Sequence, residues 1–163
     1  MSKNVTIEES YSPEKIISVF TPINYVKDNL YICNSLAFHH LEIFSLLRIK
    51  HIISMRYIPQ NISSYLKKEG VSIYSFWTSH DNFKEKWSKQ ITDILTILTD
   101  ATSRGENIAV QCRSCMHRSA TVIIGYLMKM EHITYKEALS FLQSKRLCVE
   151  EHYIIDENTF NIV

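Results

Sequence analysis

Apolar and polar positions along the chain separate short buried strands from one-sided helices. Leu30-Tyr31-Ile32-Cys33 is an apolar run behind the polar Lys27-Asp28-Asn29 and reads as a strand. Leu36, His40, Ile43 and Leu47 recur near helical spacing, so Leu36 to Leu47 reads as a helix, and Lys50 to Met55 reads as a buried strand. Gln60 to Glu69 then predicts a helix closed by Gly70, followed by a third strand in the alternating Val71 to Phe76. Trp87, Ile91, Ile94, Leu95 and Leu98 share one face of a helix over Lys84 to Thr102, ended by Gly105. Ile108-Ala109-Val110 is short and wholly apolar, the character of a central parallel strand covered on both faces. Val122, Ile123, Tyr126, Leu127 and Met130 mark another helix, and Thr134 with Glu137 makes a capping box for a last one carrying Ala138, Leu139 and Leu142. Trp87, Tyr126, Met128 and Met130, at helical spacing, read as core. The alternation predicts an α/β fold: a central, mostly parallel sheet flanked by helices.

With 163 residues, 45% of them hydrophobic and only three Gly and three Pro, the chain has the make-up of one folded domain. A formal net charge of +1 leaves no global field toward nucleic acid or anionic membrane, so neither is expected as a partner and any anion site is local. Four cysteines in a chain of this size are expected as reduced thiols. The first residues carry Glu8, Glu9, Glu14 and Lys15, unlike a signal peptide, and the longest apolar segment, Ala120 to Met128, is less than half a membrane span. These features predict an intracellular protein, cytoplasmic or nuclear. Cys112-x-x-Cys115 has no obvious second ligand pair, so no metal site is expected.

The chemistry concentrates between the Ile108 strand and the helix that follows, where ligands bind in open α/β sheets. Cys112, Arg113, Ser114, Cys115, Met116, His117 and Arg118 occupy that loop. Curled so that its amides face inward at the mouth of a helix, such a loop binds a dianion such as phosphate. A free thiol, with a pKa of about 8.5, is mostly protonated at neutral pH. Helix terminus, amides and guanidinium together could supply the roughly 3–4 kcal/mol that a depression of two to three units requires. Arg118 has the planar, always charged fork that suits two phosphoryl oxygens. Ser119 either donates to the sulfur as it leaves or caps the helix. A general acid should come from another loop, and Asp81, after the third strand, is the candidate; its other reading is a cap for the helix near Lys84, and His80 is a weaker rival.

The segment from Val110 to Met128 resembles the signature of the dual-specificity phosphatases in the protein tyrosine phosphatase superfamily: Cys112, Arg118 and Ser119 fit its Cys-x5-Arg-Ser loop, and Ala120 to Met128 its following helix. Asn29 to Asn34 and Lys50 to Met55 are similar to the family's opening strands, and Tyr135 to Arg146 to its Ala-rich helix. The resemblance implies a three-layer cysteine-phosphatase domain over residues 23–149, with an N-terminal extension at 1–22 and a tail at 150–163. It implies metal-independent hydrolysis of phosphotyrosine and phosphoserine or phosphothreonine in protein substrates, with no cofactor. Carried over by position, Cys112 is the nucleophile, Arg118 the phosphate clamp, Ser119 the helper of thiolate release and Asp81 the acid, with residues 113–118 around the phosphate. An inositol phosphate or an RNA 5′ end is a minor alternative suggested by the basic Arg113 and His117.

Two positions depart from the family pattern. Gln111 stands where His precedes the nucleophile, and Cys115 where the loop has Gly. If position 115 needs a left-handed backbone, a side chain there costs about 1–2 kcal/mol. These departures motivate the alternative of a catalytically impaired relative that binds phosphoproteins. Cys115 either resolves an oxidised Cys112 as a disulfide or simply packs, as Cys33 and Cys148 are expected to do.

Overall fold

The computed structural model describes residues 12–76, 83–114 and 117–150, the side chains of 83–88 apart. Five strands form one sheet: β1 (Ile23–Lys27), β2 (Leu30–Cys33), β3 (Ile49–Ser54), β4 (Ser72–Ser75) and β5 (Asn107–Gln111). Their order is β1-β2-β5-β3-β4, with β1 antiparallel to β2 and every other pairing parallel. The helices are α1 (Pro13–Phe20), α2 (Glu42–Leu46), α3 (Gln60–Lys68), α4 (Phe83–Ser103), α5 (Arg118–Glu131) and α6 (Tyr135–Lys145). Two separate apolar clusters show that both faces of the sheet are covered, as expected for three layers. One unites Ile53, Ile108 and Val110 with Ile94 and Leu98 of α4, Ile123 of α5 and Leu142 of α6; the other unites Ile52 and Ala109 with Phe38, Phe44 and Leu66.

Most expected elements are present. Gly70 and Gly105 follow α3 and α4 with φ of 83° and 69°, the left-handed conformation that glycine adopts without a Cβ penalty. Both halves of the Thr134–Glu137 capping box are made. No helix among the described residues is long and apolar enough to cross a membrane.

Three expectations change. The helix expected over Leu36 to Leu47 is broken into a 3-10 turn at Ser35–His39 and the short α2, with His40 leaving the helical region at φ −136° and ψ 62°. An unbroken helix would set Phe38 and Phe44 roughly 120° apart. The break lets both rings enter one core cluster, stacked at 5.9 Å. Met130, at the end of α5, is 41% exposed rather than core. The third difference lies at the start of the chain, where α1 and β1 were not expected. Ser12 caps α1, accepting from the Lys15 amide at 3.3 Å with Pro13 in the first turn, and β1 buries only Val26 at the sheet edge.

A polar clasp joins β3 to β5. His51 Nε2 lies 2.5 Å from Glu106 Oε2, and the Tyr74 hydroxyl lies 3.3 Å from His51 Nδ1. The bond from His51, with Arg104 adding to it, holds the Glu106 carboxyl below the ordinary carboxylate range. A carboxyl whose pKa is lower folded than unfolded adds stability above its unfolded pKa, and that stability is lost as pH falls through the folded value. Glu106→Gln should therefore lower the urea midpoint at neutral pH, and the gap to the parent should close as the pH falls below the ordinary carboxylate range. Urea titrations of both proteins at several pH values check this, and a gap independent of pH would contradict it.

Candidate active site

The parallel strands end in register. Cys33 pairs with Gln111, Gln111 with Ser54 and Ser54 with Ser75, so four strand ends form a row at one edge of the sheet. A parallel sheet presents its ligand crevice along that carboxyl edge. Cys112 follows Gln111 at the centre of the row, is 2% exposed, and donates its amide to the Cys33 carbonyl at 3.3 Å.

Beyond Cys112 the backbone is held by its carbonyls. The Cys112 carbonyl accepts from Gln111 Nε2 at 2.7 Å. The Arg113 carbonyl accepts from both the Ser35 amide and the Ser35 hydroxyl at 3.1 Å. The Ser114 carbonyl accepts from Arg146 Nη2 at 3.2 Å. A trans peptide sets its N–H opposite its C=O. The Arg113 and Ser114 amides therefore point away from Gln111 and Ser35, and neither has an acceptor among the described residues. Amides turned this way are what an anion-binding nest requires.

Gln111 itself is fully buried. Its Oε1 accepts from the Ser54 hydroxyl at 2.7 Å while its Nε2 donates to Cys112, so the carboxamide bridges the end of β3 to the loop. It offers the loop a hydrogen bond without a titratable ring.

Arg118 opens α5, with His117 as its N-cap residue. Arg118 Nη1 donates to the Met55 carbonyl at 2.9 Å, and the Met55 amide donates to the Gln111 carbonyl at 2.8 Å. The guanidinium is thus aimed by the chain just past β3. Ser119 is fully buried one residue further into α5, so the capping alternative considered for it does not hold. His117 gives its carbonyl to the Thr121 amide and hydroxyl, both at 2.8 Å, which closes the first turn.

Of the residues expected around phosphate, Arg113 is exposed, and Ser114, His117 and Arg118 are half-buried. Cys115 and Met116 lie outside the described residues, and so do His80 and Asp81. Both readings of Cys115, as the resolving thiol or as a packed one, and the Asp81 acid role therefore fall outside the described residues. Ser75, six residues before Asp81, ends β4 in the row described above.

Two further thiols are buried, Cys33 and Cys148. Burial pushes the Cys33 thiol well up, and the neighbouring Cys112 adds to this while Arg146 opposes it. Cys33 is therefore held as a neutral thiol beside the loop.

Ser35, Ser54 and Arg146 were not anticipated from the sequence. Each acts on a backbone carbonyl or on Gln111 from a distant segment, and no local motif marks such contacts.

Residues 30–155 match the family model described as dual specificity phosphatase, catalytic domain. The chain is 25% identical over 132 residues, 81% of its length, to a probable rhodanese domain-containing dual specificity protein phosphatase of Dictyostelium discoideum. It is 22% identical over 125 residues, 77% of its length, to human dual specificity protein phosphatase 9. These matches span 27% and 32% of those two relatives, so the chain corresponds to about a quarter to a third of each. In fold it is similar to human DUSP28, with a TM-score of 0.70 at 18% identity, over 86% of this chain and 89% of that one. The family match covers most of the chain, including the loop at Cys112 and the helix it opens, and the chain belongs to the dual specificity phosphatase catalytic-domain family.

Proposed function

We propose that this protein hydrolyses phosphate monoesters on proteins, at phosphotyrosine and at phosphoserine or phosphothreonine, through a cysteinyl-phosphate intermediate. The observation that supports this most is the outward tethering of three successive carbonyls, at Cys112, Arg113 and Ser114, directly after a buried cysteine. Amides turned the other way favour both a thiolate and the equatorial oxygens of a phosphoryl group.

In the first step the Cys112 thiolate attacks phosphorus, and the S–P bond forms as the ester P–O bond breaks. Asp81 gives its proton to the departing oxygen, the role its position after β4 and the family likeness suggest. Arg118, aimed by the Met55 carbonyl, takes two phosphoryl oxygens in a bidentate grip. In the second step water attacks phosphorus, Asp81 takes its proton, and the S–P bond breaks to return the thiolate, with the Ser119 hydroxyl donating to the leaving sulfur. Inorganic phosphate is released. A nucleophile that works only as a free thiolate suits a reducing compartment, the cytoplasm or nucleus.

Turnover of a small aryl phosphate and of a phosphopeptide panel tests the reading. Cys112→Ser should abolish hydrolysis, and a parent no faster than this variant would overturn the enzyme reading; phosphopeptide capture without turnover would then favour a phosphoprotein-binding role. Arg118→Lys, which keeps charge but loses the fork, should lower kcat/KM roughly 10²–10³-fold.

Gln111 yields a sharper result. In Gln111→Glu, an ionised carboxylate would face the Cys112 carbonyl, whereas a protonated one donates to it as the amide does. Activity relative to the parent should therefore be low at pH 8 and recover on acidification toward about pH 5, since burial raises a carboxyl pKa. The pH dependence of kcat/KM for both proteins checks this, and a pH-independent ratio would contradict it.

A further inference from the structure

Arg146 is a buried cation with no obvious reason to be buried. It follows the last residue of α6, a place where a basic side chain ordinarily reaches water, yet it is 1% exposed. No carboxylate pairs with it among the described residues, and its Nε has no hydrogen-bond partner. Its bonds run instead to uncharged oxygens. Nη1 donates to the Thr21 carbonyl at 2.9 Å and to Asn24 Oδ1 at 2.7 Å, and Nη2 donates to the Ser114 carbonyl at 3.2 Å. An isolated charge away from water is costly unless something of opposite sign answers it.

The fork spans two regions of the molecule. One nitrogen grips the segment joining α1 to β1, itself bound to the Asn34 side chain through the Val19 and Thr21 carbonyls. The other reaches the third carbonyl of the catalytic loop. Arg146 also lies close enough to Cys33 to oppose the rise in its thiol pKa, and Cys33 feels Cys112 in turn, so the guanidinium acts electrostatically on the neighbourhood of the nucleophile. Arg118 approaches the site from the helix side, where Met55 anchors it.

We propose that Arg146 is a positioning residue for phosphoryl transfer: from behind the loop it fixes the Ser114 carbonyl outward and adds a permanent positive charge that the loop-bound dianion answers. This rests on the reading of the loop as a phosphate site. It assigns the Thr21–Asn24 segment a part in the site as the anchor from which Arg146 braces the loop. A bound dianion would supply the opposite charge that no carboxylate among the described residues gives this guanidinium.

The test is calorimetric titration of inorganic phosphate into the full chain and its variants, with kcat and KM for an aryl phosphate beside it. Arg146→Met should weaken phosphate binding roughly tenfold and lower kcat/KM by a similar factor, the scale of a charge-assisted hydrogen bond. Arg146→Lys keeps the charge but cannot span both anchors, and should weaken phosphate binding several-fold while staying folded. Asn24→Ala removes one bond at the far end of the fork and should weaken phosphate binding by less than Arg146→Lys does, whereas Glu106→Gln, in the clasp at the other end of β5, serves as the stability control: its melting temperature should fall while its phosphate affinity stays at the parental value.

Parental phosphate affinity in Arg146→Lys would overturn the proposal even if Arg146→Met failed to fold. If Arg146→Met folds, a lower melting temperature with unchanged phosphate affinity would reduce the residue to a structural role. A parent that binds phosphate but does not turn over would count against the proposed activity alone, and the variants would still decide the role of Arg146. A parent that does not bind phosphate would overturn both.

Discussion

The site depends on three consecutive backbone carbonyls, at Cys112, Arg113 and Ser114, each held by a donor from a different part of the chain. A loop of seven residues has many ways to close, and ordering its backbone costs about 1–2 kcal/mol per residue in lost freedom. Tying the carbonyls meets part of that cost and, because the peptide is planar, settles which way the amides face. The Arg113 and Ser114 amides are thereby turned away from the tethered carbonyls, as an anion-binding cradle requires.

The rest of the fold delivers those donors. The register that ends β2, β5 and β3 in one row brings Ser35, Gln111 and Met55 to the same edge. Buried Ile, Val and Leu on both faces hold that register, because a slip would exchange the two apolar faces. Gln111 links two of these ends through its carboxamide, and Arg118 reports to the same place through the Met55 carbonyl. Remote packing and local chemistry thus meet at backbone atoms.

Much of this was legible in the sequence. The β5–loop–α5 order, Cys112, Arg118 and Ser119 are contiguous, so spacing alone located them, and the periodicity of Ile91, Ile94, Leu95 and Leu98 located the long helix that covers the sheet. Gln111 stood out only as a departure; that its two ends would satisfy Ser54 and Cys112 together required knowing that β3 and β5 are neighbours. Ser35 and Arg146 gave no signal, since a serine after a strand and an arginine at a helix end are ordinary surface residues by composition. The break at His40 escaped for a related reason: near-helical spacing was real, but tertiary packing of Phe38 on Phe44 overrode it. α1 carries a local mark, the Ser12-Pro13 pair, within the N-terminal segment before β1.

The proposed chemistry requires that the amides around Cys112 stabilise its thiolate. The most direct measurement of this is the rate at which iodoacetamide alkylates Cys112 in the folded protein as a function of pH, read at the level of the Cys112 peptide so that Cys33, Cys115 and Cys148 do not contribute. The half-maximal rate should fall below about pH 7, within the range of cysteines at helix N-termini beside cations. A profile rising only near pH 8.5, as for an unperturbed thiol, would contradict it.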